Sequence, residues 1–296
     1  MKNRSIIILA TLIVTIITAS TCVAQDDERR LWDTEFLKKR TAAKPASTTP
    51  AAPARKQVNY RRATPKPDKV DPKAEGEMVG VTVFRLRPSK ATDDHDSRLL
   101  VPTDDPKQKV ELTPERVEAE TTFARGDKVR LSVESPRDGF LYVIDRERYS
   151  DGTVSNPYLI FPTLNIRGGD NKVVAGKVIE IPDKSTFTLS SKQEKYKGEI
   201  LTLLITKEPL EGISVGPREV ELDNKAVGQW EKQWGVPLER FEMVGGAGKA
   251  YTKAEKEAGH DGSRLLTQDD ELPQTLYRVI AKPGNPVMIT LPLRIR

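Results

Sequence analysis

The stretch DKVRLSVESPRDGFLYVIDR (127–146) decides the fold class of this 296-residue chain. Val129, Leu131 and Val133 alternate with polar residues, which is the period of a strand that buries one face. The turn residues SPRD follow, and the apolar, aromatic run GFLYVIDR (139–146) comes directly after them. Two successive strands joined by a turn are therefore predicted here.

The same strand pattern recurs on both sides of this stretch. Further strands are predicted at VGVTVFRLR (79–87, an outer strand), YLIF (158–161), KVIEI (177–181), ILTLLIT (200–206), LYRVIA (276–281) and VMITLPLRI (287–295). Pro292 predicts that the last of these is an edge strand, because proline has no backbone N–H to donate to a neighbouring strand. The predicted fold class is all-β, a mainly antiparallel β-sandwich or partly open barrel with two or three short helices.

Two short helices are marked by their caps. Asp223 precedes NKAVGQWEKQW, and Thr252 with Glu255 forms the capping-box pattern ahead of a second helix. Trp230 and Trp234 lie four residues apart on the first helix, a spacing typical of packing against a sheet. A binding face for the two rings is the alternative.

The chain divides into three parts by composition. Residues 1–24 have a positive start and a long apolar run ending at Ala24, which predicts a signal peptide. Residues 25–75 are rich in Pro, Ala and Lys/Arg and predict a disordered tether, and residues 76–296 predict a β-rich domain. The chain is therefore expected in the periplasm or outside the cell. Lipidation of Cys22, or retention of the signal as an N-terminal membrane anchor, is the alternative.

Charge argues against nucleic acid as a partner. The net charge of +5 is carried by the N-terminal part, because residues 25–75 hold 13 Lys/Arg against 8 Asp/Glu. The β-rich part is slightly acidic and shows no basic face for a phosphate backbone. The basic tether is expected at most to touch the anionic envelope surface.

A family resemblance rests on the block 121–207. It contains a strand that begins at Gly126-Asp127, an aromatic second strand, the strand end Ile160-Phe161-Pro162, and a segment from Val174 to Pro182. This block resembles the uncharacterised family called domain of unknown function 4384. The resemblance implies a small, exported β-rich module, with residues 208–296 as an extension. No activity is assigned to that family, so it implies no catalytic residues and no cofactor.

Both histidines of the chain open a similar phrase, HDSRLL at 95–100 and HDGSRLL at 260–266. If the fold brings the two loops together, His95 and His260 form a candidate metal site with the neighbouring carboxylates Asp93, Asp94, Asp96 and Asp261. The alternative is a pair of similar surface loops in which the leucines anchor the chain. No cofactor is predicted.

The segment GISVG (212–216) has the spacing of a nucleophile elbow. Ser214, Asp223 and His260 also stand in the chain order of a serine hydrolase, so they form a second candidate catalytic set. The extended residues after the motif favour a glycine-rich loop instead.

Taken together, the residues favour an exported, non-enzymatic binding or structural module of the bacterial cell envelope. The expected partner is an envelope protein, because open sheets offer edges for strand addition, and a glycan is the other possibility. A metal-dependent or serine hydrolase that uses His260 is the alternative function. The oligomeric state and the identity of the partner do not follow from the sequence.

Overall fold

A computed structural model of the chain describes residues 36–41, 58–64, 76–102, 108–259, 264–282 and 284–296. Within these residues the chain forms sixteen strands and two α-helices. The strands are β1 (Tyr60–Arg62), β2 (Glu77–Pro88), β3 (Leu99–Pro102), β4 (Lys109–Val117), β5 (Thr122–Phe123), β6 (Lys128–Glu134), β7 (Gly139–Tyr149), β8 (Tyr158–Phe161), β9 (Lys172–Val173), β10 (Val178–Ile181), β11 (Phe187–Thr188), β12 (Tyr196–Thr206), β13 (Val220–Glu221), β14 (Leu238–Met243), β15 (Thr275–Val279) and β16 (Val287–Ile295). The helices are α1 (Asn224–Trp234) and α2 (Lys253–Gly259).

Sheet I is built around β2. Its order is β1-β14-β15-β2-β4-β3, and β6 joins β2 to β10 and β11. One edge of β2 pairs with β15 and then β4, and its other edge pairs with β6, all antiparallel. The prediction of an outer strand at 79–87 is therefore wrong, because this strand has neighbours on both edges.

Sheet II is built around β12, in the order β13-β8-β7-β12-β16-β5, with β9 on the far end of β7. Strand β12 pairs antiparallel with β7 on one edge and β16 on the other. The second edge of β16 pairs with β5 over Arg294 and Ile295 only. The prediction that this strand lies at a sheet edge is therefore wrong for β16 as a whole, because β5 pairs beyond it, although that pairing does not reach Pro292.

The two sheets pack face to face and enclose the main core. The predicted period is observed: Val129, Leu131 and Val133 of β6 meet Leu201 and Leu203 of β12 in one buried cluster. The all-β prediction is confirmed, and the sheets close into no barrel. The core also contains residues from both ends of the 76–296 range. Strands outside 121–207 thus complete both sheets.

Each helix covers the outer face of one sheet. On sheet II, Val227, Trp230 and Trp234 of α1 pack against the cluster around Leu204, and the two indole rings stack 5.8 Å apart. On sheet I, α2 contacts β10. The predicted caps form, because Asp223 accepts from the Lys225 N–H and the Glu255 carboxylate accepts from the Thr252 N–H.

Two segments of the predicted tether are part of the fold. Strand β1 pairs with β14, and the hydroxyl of its buried Tyr60 donates to the Pro273 carbonyl. Residues 36–41, here called the docked segment, bury Phe36, Leu37 and Arg40. This differs from the expectation of a disordered tether over all of 25–75. The reason is that a few apolar residues and one arginine find matching partners on sheet I. The signal peptide, Cys22 and the rest of the tether lie outside the described residues.

No helix in the described part of the chain is both long and apolar enough to span a membrane.

Candidate functional site

The predicted metal ligands near His95 are already engaged in structural bonds. The two carboxylate oxygens of Asp93 accept from Nη1 and Nη2 of Arg87, at 2.7 and 2.8 Å. These bonds hold the pKa of Asp93 well below its usual range. Asp94 caps the 3₁₀ turn His95–Ser97, and Asp96 forms an ion pair with Lys253 at 3.0 Å. His95 is exposed. The local carboxylates therefore stabilise a surface loop.

The loop that carries His95 contacts helix α2. The Lys253 N–H donates to Asp94 at 3.3 Å, and the Lys256 ammonium donates to the Asp96 carbonyl. Helix α2 ends at Gly259, directly before the second histidine phrase in the sequence. His260 and Asp261 lie outside the described residues, and a joint metal site stays a prediction. No group of three His, Cys, Asp or Glu side chains within the described ranges could hold a metal ion.

The two SRLL phrases have different structural roles. The first enters β3 at Leu99, and Leu100 is exposed. The second is a loop whose Leu266 is buried and whose Leu265 is exposed. In the described parts of the repeat, the leucines therefore occupy two unlike settings, a strand in the first phrase and a loop in the second.

The residues of the predicted hydrolase set do not form a nucleophile elbow. Ser214 is exposed in a loop, and the two-residue strand β13 follows it where the elbow needs a helix. Asp223 caps helix α1. His260 lies outside the described residues, so its distance from Ser214 stays untested.

A cleft lies on the outer face of sheet I. Strands β2 and β6 form its floor through Thr82, Phe84 and Ser132. Helix α2, the loop 266–273 and the docked segment form its walls. Four charged groups that line it are buried or nearly so: Arg40, Arg116, Glu134 and Glu180.

Arg40 of the docked segment fills one end of this cleft. Its guanidinium donates to both oxygens of Glu134, from Nε at 2.8 Å and from Nη2 at 2.6 Å. It also donates to the carbonyls of Asp270 at 2.8 Å and Glu271 at 3.1 Å. The side chains of Arg40 and Glu134 are 1% and 5% exposed. This is a complete arginine-binding pocket, because every nitrogen of the guanidinium has an acceptor.

The backbone of the docked segment is also bound. The Thr41 N–H donates to the Leu266 carbonyl at 3.1 Å, and the Gln268 N–H donates to the Thr41 carbonyl at 3.0 Å. These two bonds form a parallel bridge between Thr41 and Thr267. The cleft therefore binds a short 3₁₀ turn, Leu37–Lys39, and the extended residue Arg40 that follows it, through one arginine side chain and two main-chain bonds at Thr41.

Two further ion pairs stiffen the walls of the cleft. Arg116 donates to Glu255 of α2 at 2.6 Å. Arg130 donates to Glu180 at 3.0 Å, and Glu180 also accepts from the Tyr251 hydroxyl. Burial raises the pKa of Glu180, and the charge of Arg130 opposes that rise. The buried guanidinium and carboxylate groups of the cleft are thus paired with one another, which makes it a polar site with its charges already engaged.

Little space remains once Arg40 is in place. The remaining cavity has a volume of about 40 Å³. This is room for about three waters at roughly 10–15 Å³ each. Pockets for organic ligands are about 300–1,000 Å³. The occupant that this cleft fits is therefore a side chain, and the chain itself supplies it.

A second cluster of ionisable groups lies between β7 and β12 on sheet II. The carboxyl groups of Asp145 and Glu199 face each other and each shifts the pKa of the other. Burial, followed by the charge of Glu199 and then Glu147, raises the pKa of Asp145 to about 9. Burial also raises the pKa of Glu199, against hydrogen bonds from Tyr196 and Asp145. One oxygen of each carboxyl has no other protein partner. A single shared proton satisfies both oxygens.

The sequence pattern does not reveal the residues of the cleft. Arg40 lies in the predicted tether, and Arg130 and Ser132 occupy the polar positions that alternate with the core residues of β6. A signal was present in Phe84, because an aromatic residue at an outward position of β2 indicates a second layer over that face.

Comparison with known proteins adds nothing to these residues: no family model, no curated protein and no solved structure matches the chain.

Proposed function

We propose that this chain is an exported, non-enzymatic binding module of the bacterial cell envelope, with a protein as its partner. The observation that carries the proposal is the cleft on sheet I, which binds the docked segment through an arginine and two backbone bonds. The signal-peptide pattern of residues 1–24 supports export. Membership in the family called domain of unknown function 4384 belongs to the same proposal.

The geometry favours binding over catalysis. The carboxylates and guanidinium groups at the cleft pair with one another, and the remaining volume admits a few waters. A catalytic centre instead needs groups left free to exchange a proton or attack a substrate. A glycan is a weaker fit, because the cleft presents a side-chain-sized pocket and main-chain partners for a peptide.

The test is photo-cross-linking in cells that express the full chain. One cross-linking residue replaces exposed Leu265, next to the cleft residue Leu266, and a matched control replaces exposed Val154 on sheet II. We expect a discrete protein adduct in the envelope fraction from position 265 and none from position 154. Failure to form a protein adduct from either position, or the same adducts from both, would overturn the proposed function.

A further inference from the structure

The docked segment contacts the domain as a bound peptide would, through side chains that enter separate sites on it. Phe36 and Leu37 insert into the buried cluster with Met78 and Leu272, and Arg40 enters the arginine pocket. Between them, Lys38 and Lys39 are exposed. The segment thus contacts the domain at an aromatic–aliphatic pair and at an arginine four residues after the aromatic ring.

The receptor side of this contact is built by the domain. Glu134 belongs to β6, where its backbone pairs with Val178 of β10 and Gly80 of β2. The carbonyl acceptors come from the loop that continues into β15. Glu134 is placed by its strand, so the carboxylate of the pocket is preorganised for a guanidinium. The loop is held both by Thr41 and by the domain itself, where the Leu266 N–H donates to the Gly176 carbonyl at 2.6 Å.

Arginine is the side chain that the pocket selects. A guanidinium fits the two oxygens of Glu134 with two parallel N–H bonds and still reaches the carbonyls of Asp270 and Glu271. A lysine has one nitrogen and cannot form this fork. An empty pocket would leave Glu134 as a buried carboxylate without a counter-ion, which is costly.

We propose that this cleft is the receptor for an arginine-bearing segment of a partner protein, and that residues 36–41 are its intramolecular competitor. This inference rests on the proposed function. Sixteen residues (42–57) join the docked segment to the next described residues, a length that gives an effective concentration on the order of mM. A second copy of the chain offers only the same segment. It cannot displace the attached segment when its concentration is below that effective concentration. The partner must therefore be a different polypeptide whose segment binds more tightly.

The probe for the test is a fluorescent peptide with the chain's own sequence EFLKKRTA (35–42). Its binding to the full mature chain is measured by anisotropy in the wild type and in the variants Arg40→Ala and Lys38→Ala. We expect Arg40→Ala to bind the probe at least tenfold more tightly than the wild type, because its own competitor lacks the arginine. Lys38→Ala should match the wild type, because Lys38 is exposed. Adding Glu134→Gln to Arg40→Ala should weaken binding at least tenfold.

The result that overturns the inference is a folded Arg40→Ala chain that does not bind the probe, or that binds EFLKKRTA and EFLKKATA equally. If Arg40→Ala does not fold, a protease site inserted between residues 42 and 57 replaces it. After cutting, the probe should displace the released segment from the otherwise native cleft. No displacement at a hundredfold excess of probe would contradict the inference.

The two proposals fail separately. A cross-link from position 265 without peptide binding leaves the proposed function in place and removes the arginine receptor. Peptide binding without a cross-link in cells does the opposite.

Discussion

The carboxyl pair Asp145 and Glu199 shows how strongly single residues are tuned by burial in this molecule. The charge of Glu147 raises the pKa of both residues, and the hydroxyl of Tyr196 donates to Glu199 and lowers its pKa. No positively charged side chain is among the groups that shift either pKa. Glu147 in turn accepts from the hydroxyls of Tyr149 and Ser191. The pair therefore keeps a proton that an exposed carboxyl would lose near pH 4.

This retained proton predicts a pH dependence of stability. Since the pKa of Asp145 is raised to about 9, the folded state holds about one more proton than the unfolded chain between pH ~4 and ~9. The free energy of unfolding should therefore fall as pH rises through this window, by up to about 1.4 kcal/mol per pH unit. Denaturant unfolding at pH 6, 7, 8 and 9 measures the slope.

The variant Asp145→Asn should flatten this profile, because an amide donates the same bond without losing a proton. Glu194→Gln, at an exposed site in the loop before β12, is the matched control and should keep the wild-type slope. A wild-type stability that does not fall between pH 6 and 9, or an Asp145→Asn profile parallel to it, would contradict the assignment.

At the scale of elements, the close contact between β12 and β16 depends on a glycine. The register of β12 against β7 shifts between Tyr196 and Gly198, and Gly198 has a φ of +120°. A Cβ at this position would lie 1.9 Å from the Leu293 carbonyl oxygen. Backbone conformation and space therefore both require glycine where the central strand of sheet II bends.

Gly198→Ala should destabilise the protein by about 3 kcal/mol or more, because backbone strain and overpacking each cost about 1–3 kcal/mol. Gly228→Ala in helix α1 is the matched control. No atom lies within 4 Å of its Cβ position, and alanine in a helix interior should stabilise by about 0.5–1 kcal/mol. Thermal or denaturant unfolding reports both, and a Gly198→Ala chain as stable as the wild type would refute the bulge as a strict requirement.

At the scale of the whole molecule, the N-terminal residues complete sheet I. Phe36 and Leu37 join Tyr60 and Phe241 in one buried cluster, and β1 covers the edge of β14. The domain thus begins before residue 76, although its strands of regular length start there. Burial of these side chains stabilises the fold, since each fully buried large apolar side chain contributes about 1.5–3 kcal/mol before ordering costs.

A chain beginning at residue 76 should therefore be less stable than the full mature chain by at least about 2 kcal/mol, and it should bind a hydrophobic dye. A disordered tether over all of 25–75 would instead leave the denaturant midpoint unchanged. Phe36→Ala in the full chain tests one contact of the same interface and should be destabilising in the same direction. Equal midpoints for the full and truncated chains would contradict the docked arrangement.

Local structure in this protein follows from short stretches of sequence. Alternation at Val129, Leu131 and Val133 predicts the strand and its core face, and Asp223 and the Thr252–Glu255 box predict both helix starts. These features depend on neighbours a few residues away, so a short window contains their cause.

What covers the second face of each sheet, and with it the candidate site, depends on packing between distant parts of the chain. The period of β6 shows that Arg130 and Glu134 point away from the core, but it does not show what packs over them. Glu134 pairs with Arg40, 94 residues away, and Arg40 also bonds the carbonyl of Asp270, 230 residues away. A buried ion pair of this kind has no local signature, because either residue alone reads as a solvated charge.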